Sequence, residues 1–259
     1  MMGELRIQQL SCGYGKTRVF TNLQIPALPQ GEISVLLGPN GCGKSTLLRA
    51  LAGLNPAQGD VLLAGNNLMT MPFAERSRRV VFLPQSLPQG VHLHVLESVI
   101  VAMRAGGGRT EGNEMARAQA ILRQLGIAHL AMHYLDQLSG GQKQLVGLAQ
   151  SLVRQPELLL LDEPLSALDL NYQLLVMEQI ARETRARRIV TVVVLHDMNI
   201  ALRHGSHIVM LKDGQLVACG RPEEVVTSAT LAEVYGVRGR VERTRDGQAH
   251  VVLEGLVSA

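Results

Sequence analysis

The chain has 259 residues, a length that is enough for one large α/β domain with a complete core, and its formal net charge is +3. Aromatic residues make up only 3% of it, too few for a base-stacking platform, so the composition argues against nucleic acid as a partner. Arginines cluster at residues 76–79, 182–188 and 238–245, where they are interleaved with Glu or small residues, which is typical of solvated helix faces and loops. Neither a membrane-spanning apolar run nor a signal-peptide pattern is found, so we expect a cytosolic protein.

Short apolar segments predict a mostly parallel sheet with an antiparallel N-terminal part. Residues 4–30 alternate around Leu5, Ile7 and Leu10 and contain a second apolar segment at 19–25. The buried strands predicted after them are Ile33–Leu37, Val80–Leu83, Leu158–Leu161 and Ile189–Leu195. Nearly continuous Val/Ile/Leu strands that alternate with helices indicate a parallel sheet covered on both faces.

A phosphate-binding loop follows the first buried strand. The sequence fits G-x-x-x-x-G-K-[ST], and a helix is predicted directly after it, from Ser45 to Ala52. The glycines let backbone N–H groups surround a phosphate, and the helix N-terminus adds partial positive charge. We expect Lys44 to reach the β- and γ-phosphates of a nucleoside triphosphate and Ser45 to hold Mg²⁺. The predicted ATP-binding residues here are Gly38, Pro39, Asn40, Gly41, Cys42, Gly43, Lys44, Ser45 and Thr46.

The middle of the chain, about residues 86–155, is predicted to be a helical subdomain inserted into the core. It has no strong strand pattern, and helices are predicted at Met115–Leu125 and Gly140–Arg154, with a flexible turn at Gly106–Gly108. At the start of the second helix, Ser139 and Gln142 form an S-x-x-Q capping box.

The same helix start, Leu138-Ser139-Gly140-Gly141-Gln142, has two glycines that capping does not require, since each costs about 1 kcal/mol in a helix. Bare N–H groups and a hydroxyl at a helix N-terminus make a second anion site. One chain would then carry two half-sites for phosphate. The simplest arrangement is a head-to-tail pair of copies, in which Ser139 and Gly141 of one copy close the nucleotide of the other.

The strand at residues 158–161 ends in two carboxylates, Asp162 and Glu163. Asp162, at the strand tip, is placed to bind Mg²⁺. Glu163 is placed to act as general base on an attacking water, a role typically worth about 10²–10⁴ in rate. Farther on, the stretch from Arg240 to Leu253 alternates around Asp246-Gly247 and predicts a terminal β-hairpin.

In these features the sequence resembles the ATP-binding cassette (ABC) ATPases, and the resemblance covers almost the whole chain. The LSGGQ run at 138–142 is the hallmark of that superfamily. The resemblance implies that Tyr14 stacks on adenine, that Ser166–Asp169 touches the partner copy, and that His196 contacts the γ-phosphate. The implied catalytic residues are Glu163, His196 and Gln85. The implied Mg²⁺ ligands are Ser45, Gln85 and Asp162. The implied ATP contacts from the second copy are Ser139, Gly140, Gly141, Gln142 and Asp169.

The fold implied is one ABC ATPase domain over residues 1–259, of the α/β class. Its P-loop NTPase core covers 4–85 and 156–236, the helical subdomain covers 86–155, and a C-terminal β-hairpin tail covers 237–259. ATP binding would close two copies together, and hydrolysis would release them. With one cassette and no membrane span, the chain is expected to be a separate subunit that drives a partner.

Finer features are similar to the ATPase subunits of bacterial importers for iron–siderophore complexes, haem and cobalamin. They are Leu168–Gln173, His196-Asp197-Met198-Asn199 with Ala201, and Gly220–Val225 leading to Val234-Tyr235-Gly236-Val237. The resemblance implies a homodimer beneath an integral membrane permease dimer, fed by a periplasmic binding protein, at the cytoplasmic face of the inner (plasma) membrane. Leu145, Leu165 and residues 101–106 depart from the importer pattern and leave the cargo open.

Three points stay open at this stage. The alternative function is a soluble ABC ATPase in iron–sulfur assembly or another non-transport complex, which would not co-purify with membranes. His92 and His94 form an H-x-H pair, more typical of a solvated loop than of a metal site without a third ligand. Cys42 lies near Lys44 and a helix N-terminus, both of which favour the thiolate, so we expect a thiol that maleimide modifies and ATP protects.

Overall fold

The computed structural model describes residues 4–15, 17–85, 92–106 and 113–257. Its first layer is a four-stranded antiparallel sheet in the order β2-β1-β4-β5. The strands are β1 Glu4–Tyr14, β2 Thr17–Pro29, β4 Ala57–Leu63 and β5 Asn66–Asn67. Leu5, Ile7 and Leu10 are buried on its inner face, as the alternation predicts. The antiparallel N-terminal part is therefore confirmed.

The second layer is a six-stranded sheet in the order β10-β9-β3-β8-β7-β6. Its strands are β3 Ile33–Leu37, β6 Val80–Leu83, β7 Leu158–Asp162, β8 Val190–Val194, β9 His207–Lys212 and β10 Gln215–Gly220. All neighbours run parallel except β10, which is antiparallel to β9. Every residue of β3, β7 and β8 is buried, and β6 is buried except for the half-buried Phe82, so the four predicted strands and the α/β class are confirmed. The carboxyl ends of β3, β6, β7 and β8 meet at one edge, where ligands bind in such sheets.

The described helices lie between these strands. They are α1 Lys44–Leu51, α2 Phe73–Arg79, α3 Val95–Ala105, α4 Glu114–Gln124, α5 Gly140–Val153, α6 Leu170–Arg187, α7 Met198–His204, α8 Pro222–Val225 and α9 Ser228–Tyr235. The predicted helices in the middle of the chain correspond to α4 and α5. The predicted turn at Gly106–Gly108 lies outside the described residues beyond Gly106. None of the helices described is long and apolar enough to cross a membrane.

Two apolar cores lie on opposite faces of the six-stranded sheet. Alternate residues of β3 divide between them, because Leu36 faces α1 and the antiparallel sheet while Val35 and Leu37 face the other helices. The phosphate-loop helix α1 is thus wedged between the two sheets through Leu47 and Leu48. Helices α3, α4, α5, α7 and α9 bury their apolar faces in the second core.

The chain after β10 continues through α8 and α9 into a two-stranded antiparallel hairpin. Its strands are β11 Val237–Arg243 and β12 Ala249–Leu256. A hairpin around Asp246-Gly247 is therefore present, with strands that extend three residues beyond the predicted segment at each end. The sequence analysis did not assign β4, β9 or β10, and β4 has three consecutive exposed residues that weaken its pattern.

Candidate functional site

The phosphate loop is held in place by hydrogen bonds between its own residues and by close packing against neighbouring strands. The Lys44 ammonium donates to the carbonyl oxygens of Gly38 at 2.7 Å and Pro39 at 2.9 Å. Gly43 has a φ of +104°, and a Cβ there would lie 2.5 Å from the Val19 side chain. A Cβ at Gly38 would lie 2.2 Å from the Leu211 carbonyl oxygen. Both positions require glycine because the backbone runs against its neighbours.

Ser45 and Asp162, separated in sequence by more than a hundred residues, meet at the end of β7. The Ser45 hydroxyl donates to Asp162 Oδ1 at 3.0 Å. Burial raises the pKa of Asp162, and the hydrogen bond from Ser45 opposes the shift. The protein therefore holds a buried carboxylate in a place where its charge is costly without a cation, with a hydroxyl oxygen beside it.

Glu163 lies between two of the side chains predicted to work with it. Its Oε2 accepts from Gln85 Nε2 at 2.7 Å, and its Oε1 lies 2.6 Å from His196 Nε2. The Glu163 backbone has a φ of +51°, a left-handed conformation that is unfavourable for a residue with a side chain. The ends of three neighbouring strands thus bring Gln85, Glu163 and His196 into one hydrogen-bonded group.

An open cleft of about 220 Å³ lies over the loop. Tyr14 stands at its mouth with 60% of its surface exposed, so its ring has a free face for stacking. The residues that line the cleft are Tyr14, Val19, Asn40, Gly41, Gly43, Lys44, Ser45, Thr46 and Glu163. Most of the predicted ATP-binding set therefore shares one cleft with the predicted base.

Asp169 and three residues of the LSGGQ run, Ser139, Gly141 and Gln142, line a different cleft, whereas Gly140 is not among its lining residues. The Ser139 N–H donates to Gln142 Oε1 at 2.9 Å and the Gln142 N–H donates to Ser139 Oγ at 3.3 Å, so the predicted capping box is confirmed. Asp169 caps α6 by accepting from the Tyr172 N–H at 3.0 Å. Within the described residues, the two clefts share no lining residue, so this chain alone does not bring its two phosphate half-sites together.

Gly141 has a packing role that the sequence analysis did not find. A Cβ at Gly141 would lie 2.7 Å from the Ala167 carbonyl oxygen, whereas a Cβ at Gly140 would lie 3.9 Å from the nearest atom, the Ala167 Cβ. The start of α5 therefore touches the loop at 166–169, and only the second glycine is needed for that contact. The two glycines are not equivalent.

The expectation that the surroundings of Cys42 favour its thiolate is wrong, because they raise the pKa of the thiol. Cys42 is only 5% exposed, and burial raises the pKa of its thiol more than Lys44 lowers it. The Lys44 ammonium is turned towards the carbonyls of Gly38 and Pro39, and its distance to Cys42 Sγ is 4.0 Å. Burial likewise raises the pKa values of Cys12 and Cys219 to about 11.

Arg76 was also placed wrongly, among solvated arginines. Its guanidinium is buried and donates to the carbonyls of Ala50 and Leu51, the last residues of α1. Cations are favourable at a helix C-terminus, so Arg76 closes the phosphate-loop helix. The sequence carries no signal that distinguishes buried Arg76 from the exposed Arg78 or from Arg79, which pairs with Glu157 at 2.7 Å.

The H-x-H pair encloses an aromatic ring. The rings of His92 and His94 stack on Tyr134 with centroids 3.9 and 4.2 Å away. Asp136 and Glu97 accept from the two imidazoles at 3.0 and 3.1 Å. The described part of the chain contains no group of three His, Cys, Asp or Glu residues placed to hold a metal ion.

The comparisons with known proteins decide the family. The family model described as ABC transporter matches residues 22–166, which include the phosphate loop, the LSGGQ run and Asp162-Glu163. The chain belongs to the ABC transporter ATP-binding family. It therefore binds nucleotide and is an ATPase, and we refer to it below as the cassette.

Its relatives match over almost their full lengths. The ferric enterobactin transport ATP-binding protein of Escherichia coli is 36% identical over 241 residues, covering 92% of the cassette and 89% of that protein. The hemin import ATP-binding protein of Jannaschia is 35% identical over 260 residues, covering 97% and 94%. An inward-facing structure of an ABC transporter assigned to the metal-chelate type has a TM-score of 0.80 at 26% identity and covers 98% of both chains.

Proposed function

We propose that the cassette is the ATP-hydrolysing subunit of an importer for an iron chelate, either a siderophore complex or haem. The observation that carries the mechanism is the placement of Glu163 between His196 and Gln85, next to the Ser45–Asp162 pair. The relatives, which are named for ferric enterobactin transport and hemin import, support the substrate class. Cobalamin, the third expected cargo, remains an outcome of the test.

Lys44 would exchange partners when ATP binds. Its ammonium now donates to two carbonyls of its own loop, and the β- and γ-phosphates would replace them. The backbone N–H groups of residues 41–46 would hold the same phosphates at the N-terminus of α1. Tyr14 would stack on the adenine at the mouth of the cleft.

Ser45 and Asp162 fit Mg²⁺. Their oxygens are the hard ligands that this ion prefers, and the raised pKa of the buried Asp162 carboxyl marks a charge that a cation would compensate. Few protein ligands are needed, because Mg²⁺ usually takes its other ligands from water and phosphate. When bound, the ion supplies charge neutralisation to the phosphates. Gln85 would reach the same region from the end of β6.

Glu163 would act as the general base. Its carboxylate would accept the proton of the attacking water, while His196 and Gln85 hold its two oxygens in position. His196 is exposed enough to exchange Glu163 for a γ-phosphate oxygen when the cleft closes. These exchanges make hydrolysis depend on closure of the site.

Closure would come from a second copy of the chain. The cleft lined by Ser139, Gly141, Gln142 and Asp169 lies apart from the phosphate loop, so each nucleotide would need that cleft, with the neighbouring Gly140, from a partner. Next to Asp169, Leu170 is 76% exposed, which supports an interface at this surface. We propose a head-to-tail pair with two ATP molecules between the copies.

The work of that closure would pass to a membrane permease. We propose that the pair sits at the cytoplasmic face of the membrane beneath a permease dimer, which a periplasmic binding protein loads. The proposed division of the chain is a nucleotide core at 4–85 and 156–236, a helical subdomain at 86–155 and a tail at 237–259. The helical subdomain would receive the permease, and the core would read the nucleotide.

Co-purification with a permease tests this proposal. The tagged cassette is expressed in its native cells, whose membranes are then solubilised gently. The proteins captured with the tag are identified. A many-helix permease in equal numbers with the cassette is the expected result. Absence of any membrane protein would overturn the transport function and favour a soluble ATPase.

The captured complex, placed in liposomes, then decides the cargo. Uptake of a ferric siderophore or haem that needs ATP and is lost in Lys44→Ala is the expected result. Uptake of cobalamin alone would keep the transporter and reject the iron chelate.

A further inference from the structure

Helix α2, Phe73–Arg79, leads directly into β6, which ends just before Gln85. Within the described residues, no member of α2 lines either of the two clefts. Hydrogen bonds at α2 nevertheless reach the far ends of the helices that carry the phosphate loop and the LSGGQ run. We call this region the α2 junction and define it by Arg76, Ser77, Arg79, Arg154 and Glu157.

Arg76 joins α2 to the end of α1. Its Nε donates to the Leu51 carbonyl oxygen at 3.1 Å, and its Nη2 donates to the carbonyl oxygens of Ala50 and Leu51 at 2.6 and 2.8 Å. The chain after α1 packs on the guanidinium as well, since a Cβ at Gly53 would lie 3.0 Å from Arg76 Nη1. Helix α1 is only about 12 Å long, so its last residues move with the phosphate loop at its first turn. Arg76 therefore links α2 to the phosphate loop through one short helix.

Arg154 joins the LSGGQ helix to α2. It is the C-cap residue of α5, whose N-cap is Ser139. Its Nη2 donates at 2.5 Å to the carbonyl oxygen of Ser77, the residue after Arg76. Among the described residues, this carbonyl is the one hydrogen-bond acceptor of the Arg154 guanidinium, whose Nε is buried without a partner. The end of α5 that lies roughly 20 Å from the LSGGQ run is therefore tied to α2 by one bond.

Arg79 joins α2 to the start of β7. Its Nε and Nη2 donate to Glu157 Oε1 and Oε2 at 2.8 and 2.7 Å, and the Glu157 N–H donates to the Arg79 carbonyl oxygen at 2.9 Å. Glu157 lies between α5 and β7, and β7 ends at Asp162. The elements that present Lys44, Ser139 and Asp162 thus meet at the α2 junction, each by the end that lies away from its site residue.

We propose that the α2 junction couples the phosphate-loop helix to the LSGGQ helix of the same chain, with Arg76 and Arg154 as positioning residues. Rigid helices joined by hydrogen bonds carry energetic coupling between distant sites. A nucleotide at the phosphate loop shifts α1, and α2 passes the shift to the end of α5. In the head-to-tail pair of the proposed function, the LSGGQ run closes the nucleotide of the second copy. Occupation of one site therefore favours closure of the other, a coupling that rests on that pair.

Cooperativity of ATP hydrolysis tests the coupling in the full-length cassette within its transport complex. Two coupled sites give a Hill coefficient of up to about 2, whereas uncoupled sites give about 1, and we expect the wild type to lie clearly above 1. Arg154→Met keeps a long apolar side chain but loses the donor to Ser77, so it should lower the coefficient to about 1. Its maximal rate should stay within about twofold of the wild type, because saturating ATP fills both sites without coupling.

Three further variants separate the hydrogen bonds from the bulk of the side chains. Arg154→Lys can still donate to the single Ser77 carbonyl and should keep most of the cooperativity. Arg76→Met removes the donors to the end of α1 and should lose cooperativity as Arg154→Met does. Arg78→Met, at an exposed position of α2, is the matched control and should keep the wild-type coefficient.

An unchanged coefficient in Arg154→Met, with or without a lower unfolding midpoint, would overturn the proposal and leave a purely structural role for this residue. Equal losses in Arg154→Lys and Arg154→Met would reject the hydrogen bond as the link. A wild-type coefficient of about 1 would overturn the coupling, while ATP-driven uptake would still support the proposed function. If no permease is captured, the proposed function fails instead, and the coefficient of the cassette alone still decides the coupling.

Discussion

The two regions proposed to bind phosphate, the phosphate loop and the LSGGQ run, differ in how their side chains are paired. The phosphate-loop site is internally paired, since Lys44 donates to loop carbonyls, Ser45 donates to Asp162, and Glu163 is shared by His196 and Gln85. The LSGGQ site is a helix N-terminus whose capping box uses two of its own residues and leaves Ser139 and Gly140 exposed. One site is complete within the chain and the other is unfinished.

The difference shows which interactions hold the residues of each region in a fixed arrangement. Internal partners hold the phosphate loop in shape before any ligand arrives, so binding exchanges hydrogen bonds and needs little rearrangement. Among the described residues the LSGGQ surface has no equivalent network, and in the proposed function a second copy and the nucleotide between the copies would order it. Changes at the first site should therefore alter chemistry or affinity, and changes at the second should alter closure.

The strongest test of the internally paired site is Glu163→Gln. The amide keeps the hydrogen-bonding shape but cannot accept a proton, so hydrolysis should fall at least ~10²-fold while ATP still binds. Turnover assays and analytical ultracentrifugation with ATP should show a slow enzyme trapped as a closed dimer. The matched control is Glu223→Gln, an exposed residue of α8. Normal turnover in Glu163→Gln would remove this residue from the role of base.

Asp162→Asn removes the negative charge of the side chain but keeps an oxygen that can accept the hydrogen bond from Ser45. Burial raises the pKa of Asp162, so its ionised form costs stability at neutral pH, and the neutral amide should raise the unfolding midpoint without nucleotide. The variant should lose the stabilisation given by MgATP, about 2.7 kcal/mol at a concentration of 100 Kd. Differential scanning calorimetry of both states measures this.

Asp246→Asn, in the exposed hairpin turn, is the matched control and should keep the nucleotide response. A lower midpoint for nucleotide-free Asp162→Asn would contradict the assigned cost of the buried charge.

Gly141→Ala and Gly140→Ala test the unfinished site. The first adds a Cβ 2.7 Å from the Ala167 carbonyl and should destabilise the fold by about 1–3 kcal/mol. The second adds one at an ordinary contact distance, 3.9 Å from the Ala167 Cβ, and should be neutral or slightly stabilising. Urea denaturation of the nucleotide-free chain compares them, and equal midpoints would reject the packing role of Gly141.

The smallest effect is expected at His204, away from both half-sites. Burial, and secondarily Arg203, lower the pKa of His204, whereas Glu178 opposes them. The unfolded chain then takes up the proton first on acidification, so stability should be constant above the ordinary pKa of about 6.5 and fall below it. His204→Gln should flatten that fall in denaturation curves between pH 7.5 and 5.5. An unchanged slope would exclude His204 as its source.

Much of the phosphate-loop site could be predicted because its functional residues lie in continuous stretches of the sequence. The strand, loop and helix around Lys44 are one segment, and Asp162 and Glu163 directly follow a fully buried strand. Parallel pairing then brings the strand ends to one edge, so Ser45 meets Asp162 and Glu163 meets His196. The family resemblance supplied the proposed roles of Gln85, Glu163 and His196, whereas the order of the strands that brings them together was not predicted.

The rest depends on contacts that no short run encodes. Strand β9 inserts beside β3 from a distant segment, and its Leu211 carbonyl is the atom that leaves no room for a Cβ at Gly38. In the sequence Arg76 cannot be told from the exposed Arg78, and its burial depends on packing against the end of α1. The Cys42 prediction was wrong because proximity to Lys44 was visible in the sequence, whereas burial was not.

The backbone at Glu163 sets a limit on engineering. A φ of +51° costs a residue with a side chain roughly 1–2 kcal/mol, and glycine would be free of that cost. A laboratory screen that rewards heat resistance alone would therefore enrich glycine at position 163 and discard the carboxylate with it. Thermal stability and ATP turnover therefore favour different residues at position 163. Substitutions that stabilise the cassette without loss of activity have to be sought elsewhere in the chain.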